Sequence, residues 1–134
     1  MLVLAFIVVS LLTVFIVQLP PPPHPGPPDP TLQFEQPVRI AGGWKIIVRE
    51  VSVLKSPGQY GVVLSRNGTV VVENMYSIRM SGPFLYFYDM DHDGNLSAGD
   101  WFIAVCDPGS EYGLEIIWTW RPAGILSGQV EWKT

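Results

Sequence analysis

The chain of 134 residues has a single cysteine, Cys106. No disulfide can form within it, so packing or a metal must hold the fold. Cys106 itself reads as a small buried apolar residue near a strand end. Charge is also scarce: Asp, Glu, Lys and Arg make up 15% of the residues against 48% hydrophobic, a balance that builds a core and excludes a disordered tail. There is no basic patch or stripe, which argues against nucleic acid and against anionic lipid surfaces as partners. No Ser/His/Asp set, Cys–His pair or spare carboxylate dyad is present, so no enzyme activity is expected.

The most pointed absence is at the start. Residues 1–19 carry no charged side chain, and the first cation is Arg39. As a helix at about 1.5 Å per residue they would reach about 28 Å, close to the roughly 30 Å of a bilayer's hydrocarbon core. Being apolar all round, such a helix must be enclosed by lipid or by other apolar helices. The stretch lacks the basic n-region and small-residue cleavage site of a secretory signal. It also lacks the Lys or Arg flank of an ordinary signal anchor. A transmembrane or filament-core helix, left after removal of a basic leader, is the expectation.

Residues 20–30 hold eight prolines in eleven positions. They must end the helix, because proline has no N–H to donate and restricts the residue before it. Polyproline II geometry at about 3.1 Å per residue gives a stalk of up to about 34 Å. His24 has no ligand-type neighbour there and reads as solvated.

From Thr31 the hydrophobic period becomes two and turn signals recur, an all-β pattern for one domain over 31–134. Strands are expected at 34–41, 44–55, 60–65, 69–74, 76–80, 84–88, 101–106, 114–120 and 125–132. The Asn67-Gly68 pair marks a type I′ hairpin. Leu114, Ile116, Trp118 and Trp120 alternate with Glu115, Ile117, Thr119 and Arg121, giving one apolar and one mixed face. The expected fold is thus an N-terminal hydrophobic α-helix plus an all-β domain, an antiparallel β-sandwich of immunoglobulin-like size on a polyproline stalk. The five tryptophans read first as core, and second as a carbohydrate platform.

The net charge of −4 has one source. Four of the twelve acids fall between Asp89 and Asp100, and the other eight match the eight Lys and Arg. Asp89-Met90-Asp91-His92-Asp93-Gly94-Asn95-Leu96-Ser97-Ala98-Gly99-Asp100 follows the calcium-loop pattern. Asp89, Asp91 and Asp93 stand at positions one, three and five, and Gly94 at six allows the sharp turn. Asn95 offers its backbone carbonyl at seven, Ser97 stands at nine, and Asp100 closes at twelve. An all-oxygen set of flexible carboxylates favours Ca2+ over zinc or copper, and His92 should point away from the ion. The flanks Phe84–Tyr88 and Trp101–Val105 are aromatic and β-branched, so the loop should join strands rather than helices. Closing with Asp instead of Glu, one methylene shorter, should weaken affinity. Asn67-Gly68-Thr69 is an N-glycosylation acceptor at the hairpin tip; Asn95-Leu96-Ser97 has the same form but lies inside the loop.

An uncharged N-terminal hydrophobic stretch followed by a sandwich containing Asp91-His92-Asp93-Gly94-Asn95-Leu96-Ser97-Ala98-Gly99-Asp100-Trp101-Phe102 resembles archaeal type IV pilins and archaellin-related surface proteins. The resemblance implies leader cleavage by a prepilin peptidase and polymerisation with N-terminal helices bundled in a filament core. The break at Pro20 departs from family helices, which commonly run on towards the globular domain. The expected function is a structural subunit of an extracellular, cell-surface filament. Its partners would be copies of itself and, before assembly, the membrane. The rival reading is a membrane-anchored surface module binding a glycan or protein.

Overall fold

The computed structural model describes residues 29–80, 82–120 and 123–134. Nine strands, β1 (Leu32–Phe34), β2 (Val38–Ile40), β3 (Gly43–Val51), β4 (Tyr60–Arg66), β5 (Thr69–Asn74), β6 (Leu85–Tyr88), β7 (Trp101–Ala104), β8 (Glu111–Trp118) and β9 (Ile125–Lys133), form two antiparallel sheets. One runs β1-β3-β7-β6, with β2 continuing the β1 edge along β3; the other runs β5-β4-β8-β9.

The expected class, an N-terminal hydrophobic α-helix plus an all-β domain, is corrected to all-β. The only helical elements among the described residues are 3-10 turns at Pro57–Gln59 and Ile78–Met80, and none of the described helices is long and apolar enough to cross a membrane. Alternating apolar residues bury one face of a strand at period two, and that pattern governs everything described. The helix expected at 1–19, and residues 20–28 of the expected stalk, lie outside the described residues. The sandwich expectation stands.

The core lies between the sheets. Ile46, Val48, Leu85, Phe102 and Ala104 from one meet Tyr60, Val62, Leu64, Leu114, Ile116 and Trp118 from the other, all buried. Phe102 packs at 5.1 Å from Phe87 and 6.4 Å from Phe34, and Tyr60 meets Trp118 edge-on at 5.3 Å, geometries that aromatic quadrupoles favour. At the β1/β9 side the sheets close tightly: a Cβ on Gly128 would stand 2.8 Å from Leu32 Cβ and 2.9 Å from the Leu32 carbonyl oxygen. Only glycine admits that approach.

Three strand expectations are revised. The strand expected at 34–41 is split into β1 and β2 around Pro37, which cannot donate to a ladder. The strand expected at 44–55 ends at Val51; beyond it Ser56 Oγ accepts from Gly58 N at 3.3 Å and Pro57 opens a 3-10 turn. The segment 76–80 is no strand. Asn74 Oδ1 accepts from the amides of Tyr76 (2.9 Å) and Ser77 (3.2 Å), and Ser77 Oγ from Arg79 N (3.2 Å). These local bonds replace a ladder, and the turn they make buries Ile78 completely. The Asn67-Gly68 hairpin forms as expected, with φ of 50° and 81°. Of the tryptophans, Trp118 and Trp132 are buried, Trp44 and Trp101 half-buried, and Trp120 is 66% exposed because β8 ends two residues before it.

Candidate metal centre

Residues 89–100 join β6 to β7, which pair antiparallel with Tyr88 opposite Trp101. The loop is therefore a hairpin connection, as the aromatic flanks required. It is stitched to its surroundings at three points. Leu96, fully buried, donates its N–H to the Lys55 carbonyl at 2.8 Å; Gly99 N donates to Val48 O at 2.9 Å; and Val48 N donates to Asp100 O at 2.8 Å. One apolar residue in a polar loop thus acts as its anchor in the core. Left-handed backbone at His92 (φ 54°), Gly94 (φ 75°) and Gly99 (φ 96°) folds the chain back between these points.

The folding back gathers Asp89, Asp91, Asp93 and Asp100, whose carboxylates each offer an oxygen within 4.8 Å of the others. Each is oriented by the loop's own donors. Gly94 N donates to Asp89 Oδ2 at 3.0 Å and Asn95 N to Asp93 Oδ1 at 2.8 Å; Asp93 N lies 3.5 Å from Asp91 Oδ1. Asp100, with no exposed surface, accepts from Met90 N at 3.0 Å through Oδ1 and from Ser97 N at 2.8 Å through Oδ2. The buried Ser97 hydroxyl stands 3.1 Å from Asp91 Oδ2 and 3.3 Å from Asp100 Oδ2. Of the six expected ligands, four are brought together as carboxylates. Ser97 stands between two of them, and Asn95 is bound into the loop through its N–H.

Electrostatics follow from this crowding. Burial pushes the Asp100 carboxyl above its ordinary range, opposed by the Ser97 and Met90 amides and reinforced by the charges of Asp89 and Asp91. Asp91 is held below the usual range, chiefly by its hydrogen bond with the Asp89 side chain and further by Ser97 and Asp93. Among the described residues one cation pairs with a loop acid: Arg79, 3.9 Å from Asp89 Oδ2. The sequence pattern missed it because it arrives from the 3-10 turn.

The donor set fits a cation. Asp89 Oδ1 is buried with no hydrogen-bond donor, a costly state for a carboxylate oxygen unless a positive charge meets it. Four carboxylates, each with an oxygen within 4.8 Å of the others, make an all-oxygen set of the kind a hard cation takes. The cluster can hold a metal ion.

Asn67, the expected glycosylation site, is exposed at the β4–β5 tip. Its Oδ1 accepts from Glu111 N at 2.9 Å while its own N–H donates to Glu111 O at 2.7 Å. No protein-family model matches the chain, and comparison with curated proteins and with solved structures finds no match either. The likeness to archaeal pilins therefore rests on the quoted residues alone.

Proposed function

We propose that this chain is a non-enzymatic structural subunit of an extracellular, pilus-like filament, whose β-sandwich is stabilised by Ca2+ in the Asp89–Asp100 loop. The observation that carries the reading is the loop itself. Four converging carboxylates, one with an orphaned buried oxygen, sit on a hairpin whose strands run into the core. Bound calcium would be held by Asp89, Asp91, Asp93 and Asp100, with Ser97 and the Asn95 carbonyl completing the shell. It supplies charge neutralisation rather than reactivity. Asp100 and Leu96 fix the loop to β3 and the segment after it, so ordering the loop orders that end of the sandwich. Such a module suits calcium-rich surroundings outside the cell, as does a glycan on Asn67.

Polymerisation is supported by sequence. An uncharged apolar stretch over 1–19 requires burial, by lipid before assembly and by copies of the same chain afterwards. Electron microscopy of the full chain in calcium tests the reading. Long regular filaments support it. Monodisperse detergent-bound particles would overturn it in favour of a membrane-anchored surface module, for which exposed Trp120 and the aromatic outer face of β6 would offer a glycan or protein surface.

A further inference from the structure

The two outer faces of the sandwich differ in charge and in polarity. On the five-stranded sheet, register places Val38, Lys45, Ile103 and Tyr86 in one row and Ile47, Trp101 and Tyr88 in the next. Phe84, Tyr86, Tyr88 and Val105 are each exposed by two-fifths or more. Lys45 Nζ lies 3.6 Å from the centre of the Trp101 ring, and the exposed Arg49 is bonded to Gln33 at the β1 edge. A contiguous apolar and aromatic surface of this kind marks an interaction site, and the cations it presents are Lys45 and Arg49.

The outer face of the four-stranded sheet is acidic. One row is Glu73, Val63, Glu115 and Gln129, and the next holds Ser65, Gly113 and Glu131. Among the described residues Glu73, Glu115 and Glu131 form no ion pair, whereas neighbouring Lys133 is spent on Glu111 at 3.2 Å. Gly113 leaves a hollow of about 260 Å³ between Ser65, Glu111, Glu131 and Lys133, room for a protruding ring. Beside the acids, Ile117 opposite Leu126 adds apolar surface.

We propose that copies of this chain stack face to face, the aromatic, cationic face of β3, β7 and β6 in one copy covering the acidic face of β4, β8 and β9 in the next. The occupant is a second copy because this chain itself carries the complementary charge on its opposite side. A contact between two different faces does not close on itself, so it propagates as an open array. The proposal deepens the filament reading and rests on it: apolar burial of residues 1–19 would drive association, and the faces would set which surfaces meet. Bound calcium matters to this contact as well, since the acidic loop adjoins the Tyr88–Trp101 end of the cationic face and would otherwise oppose it.

Charge exchange in the full chain tests the proposal. Assembly in calcium is measured by sedimentation and microscopy for the parent, for Lys45→Glu/Arg49→Glu and for Glu115→Lys/Glu131→Lys. An equimolar mixture of the two variants and the quadruple variant complete the set. Like charges on both faces should reduce assembly of each double variant by about tenfold or more, since opposed like charges penalise a contact strongly. The mixture and the quadruple variant should recover it. Thermal melts of each variant check that the sandwich remains folded. If the parent does not self-associate, the filament reading and this contact fail together. If the parent assembles and both folded double variants assemble equally well, the contact alone is wrong. Failure of the mixture to recover also overturns it.

Discussion

Asp100→Ala separates the carboxylate's structural work from its part in metal binding. Asp100 has no exposed surface, and its two oxygens accept the amides of Met90 and Ser97 at 3.0 and 2.8 Å. Hydrogen bonds to a charged group contribute about 1.5–3 kcal/mol each. Burial and repulsion by Asp89 and Asp91, which raise its pKa, offset part of that. A net loss of about 3 kcal/mol follows, because the buried Ser97 amide and the part-buried Met90 amide both lose their acceptor. For a domain of about one hundred residues this lowers the melting temperature by about 12–24 °C, in EDTA as well as in calcium. Asp93→Ala provides the contrast. Asp93 is exposed and its Oδ1 accepts only from Asn95 N at 2.8 Å, so in EDTA its loss should be under about 1 kcal/mol, while the calcium-dependent part of the stability disappears. Circular dichroism melts of the parent and both variants, with and without calcium, measure this. A metal-free Asp100→Ala protein melting within about 4 °C of the parent would refute the claim that these two amides hold the loop.

Three further outcomes are expected. Gly128→Ala should destabilise by about 1–3 kcal/mol, because its Cβ would press 2.8 Å from Leu32 Cβ at the tight side of the sandwich; denaturant unfolding measures it. Burial pushes the Cys106 thiol from 9.0 up to about 11, so at pH 8 alkylation of the folded protein should be about a hundredfold slower than of the urea-unfolded chain. The same raised pKa stabilises the fold fully below pH 9, and that contribution is lost as pH rises through about 11. Tyr60 is buried, its hydroxyl lacks a partner, and its pKa is pushed up to about 12 by burial. Tyr60→Phe should therefore leave stability unchanged or raise it by up to about 1 kcal/mol, read from the same unfolding curves.

What was legible in the sequence was whatever short-range chemistry dictates. The alternation of Leu114, Ile116 and Trp118 marked the buried face of β8, and Asn67-Gly68 marked the β4–β5 hairpin, because each depends only on neighbouring residues. The oxygen spacing from Asp89 to Asp100 likewise marked four groups that do converge, and the aromatic flanks showed that the loop joins strands. Long-range packing was not legible. Nothing near Gly128 in the sequence announces that Leu32 lies against it, and strand order depends on pairings such as β3 with β7 that no local pattern encodes. The segment 76–80 misled because its apolar residues suit a strand, while Asn74 and Ser77 side chains capture the amides a ladder would need. Trp120 misled for a similar reason: it keeps the alternation of β8 but falls beyond the strand's end. The expectation of a mixed helix-and-sandwich class came from hydropathy alone, and the described fold is all-β.

Calorimetric titration of the metal-free full chain with Ca2+ tests the central claim most directly. One ion per chain should bind, Mg2+ should compete poorly, and Asp91→Ala should abolish the binding heat while the sandwich stays folded. A parent protein that takes up no calcium, or an Asp91→Ala protein that takes it up equally well, would contradict the account.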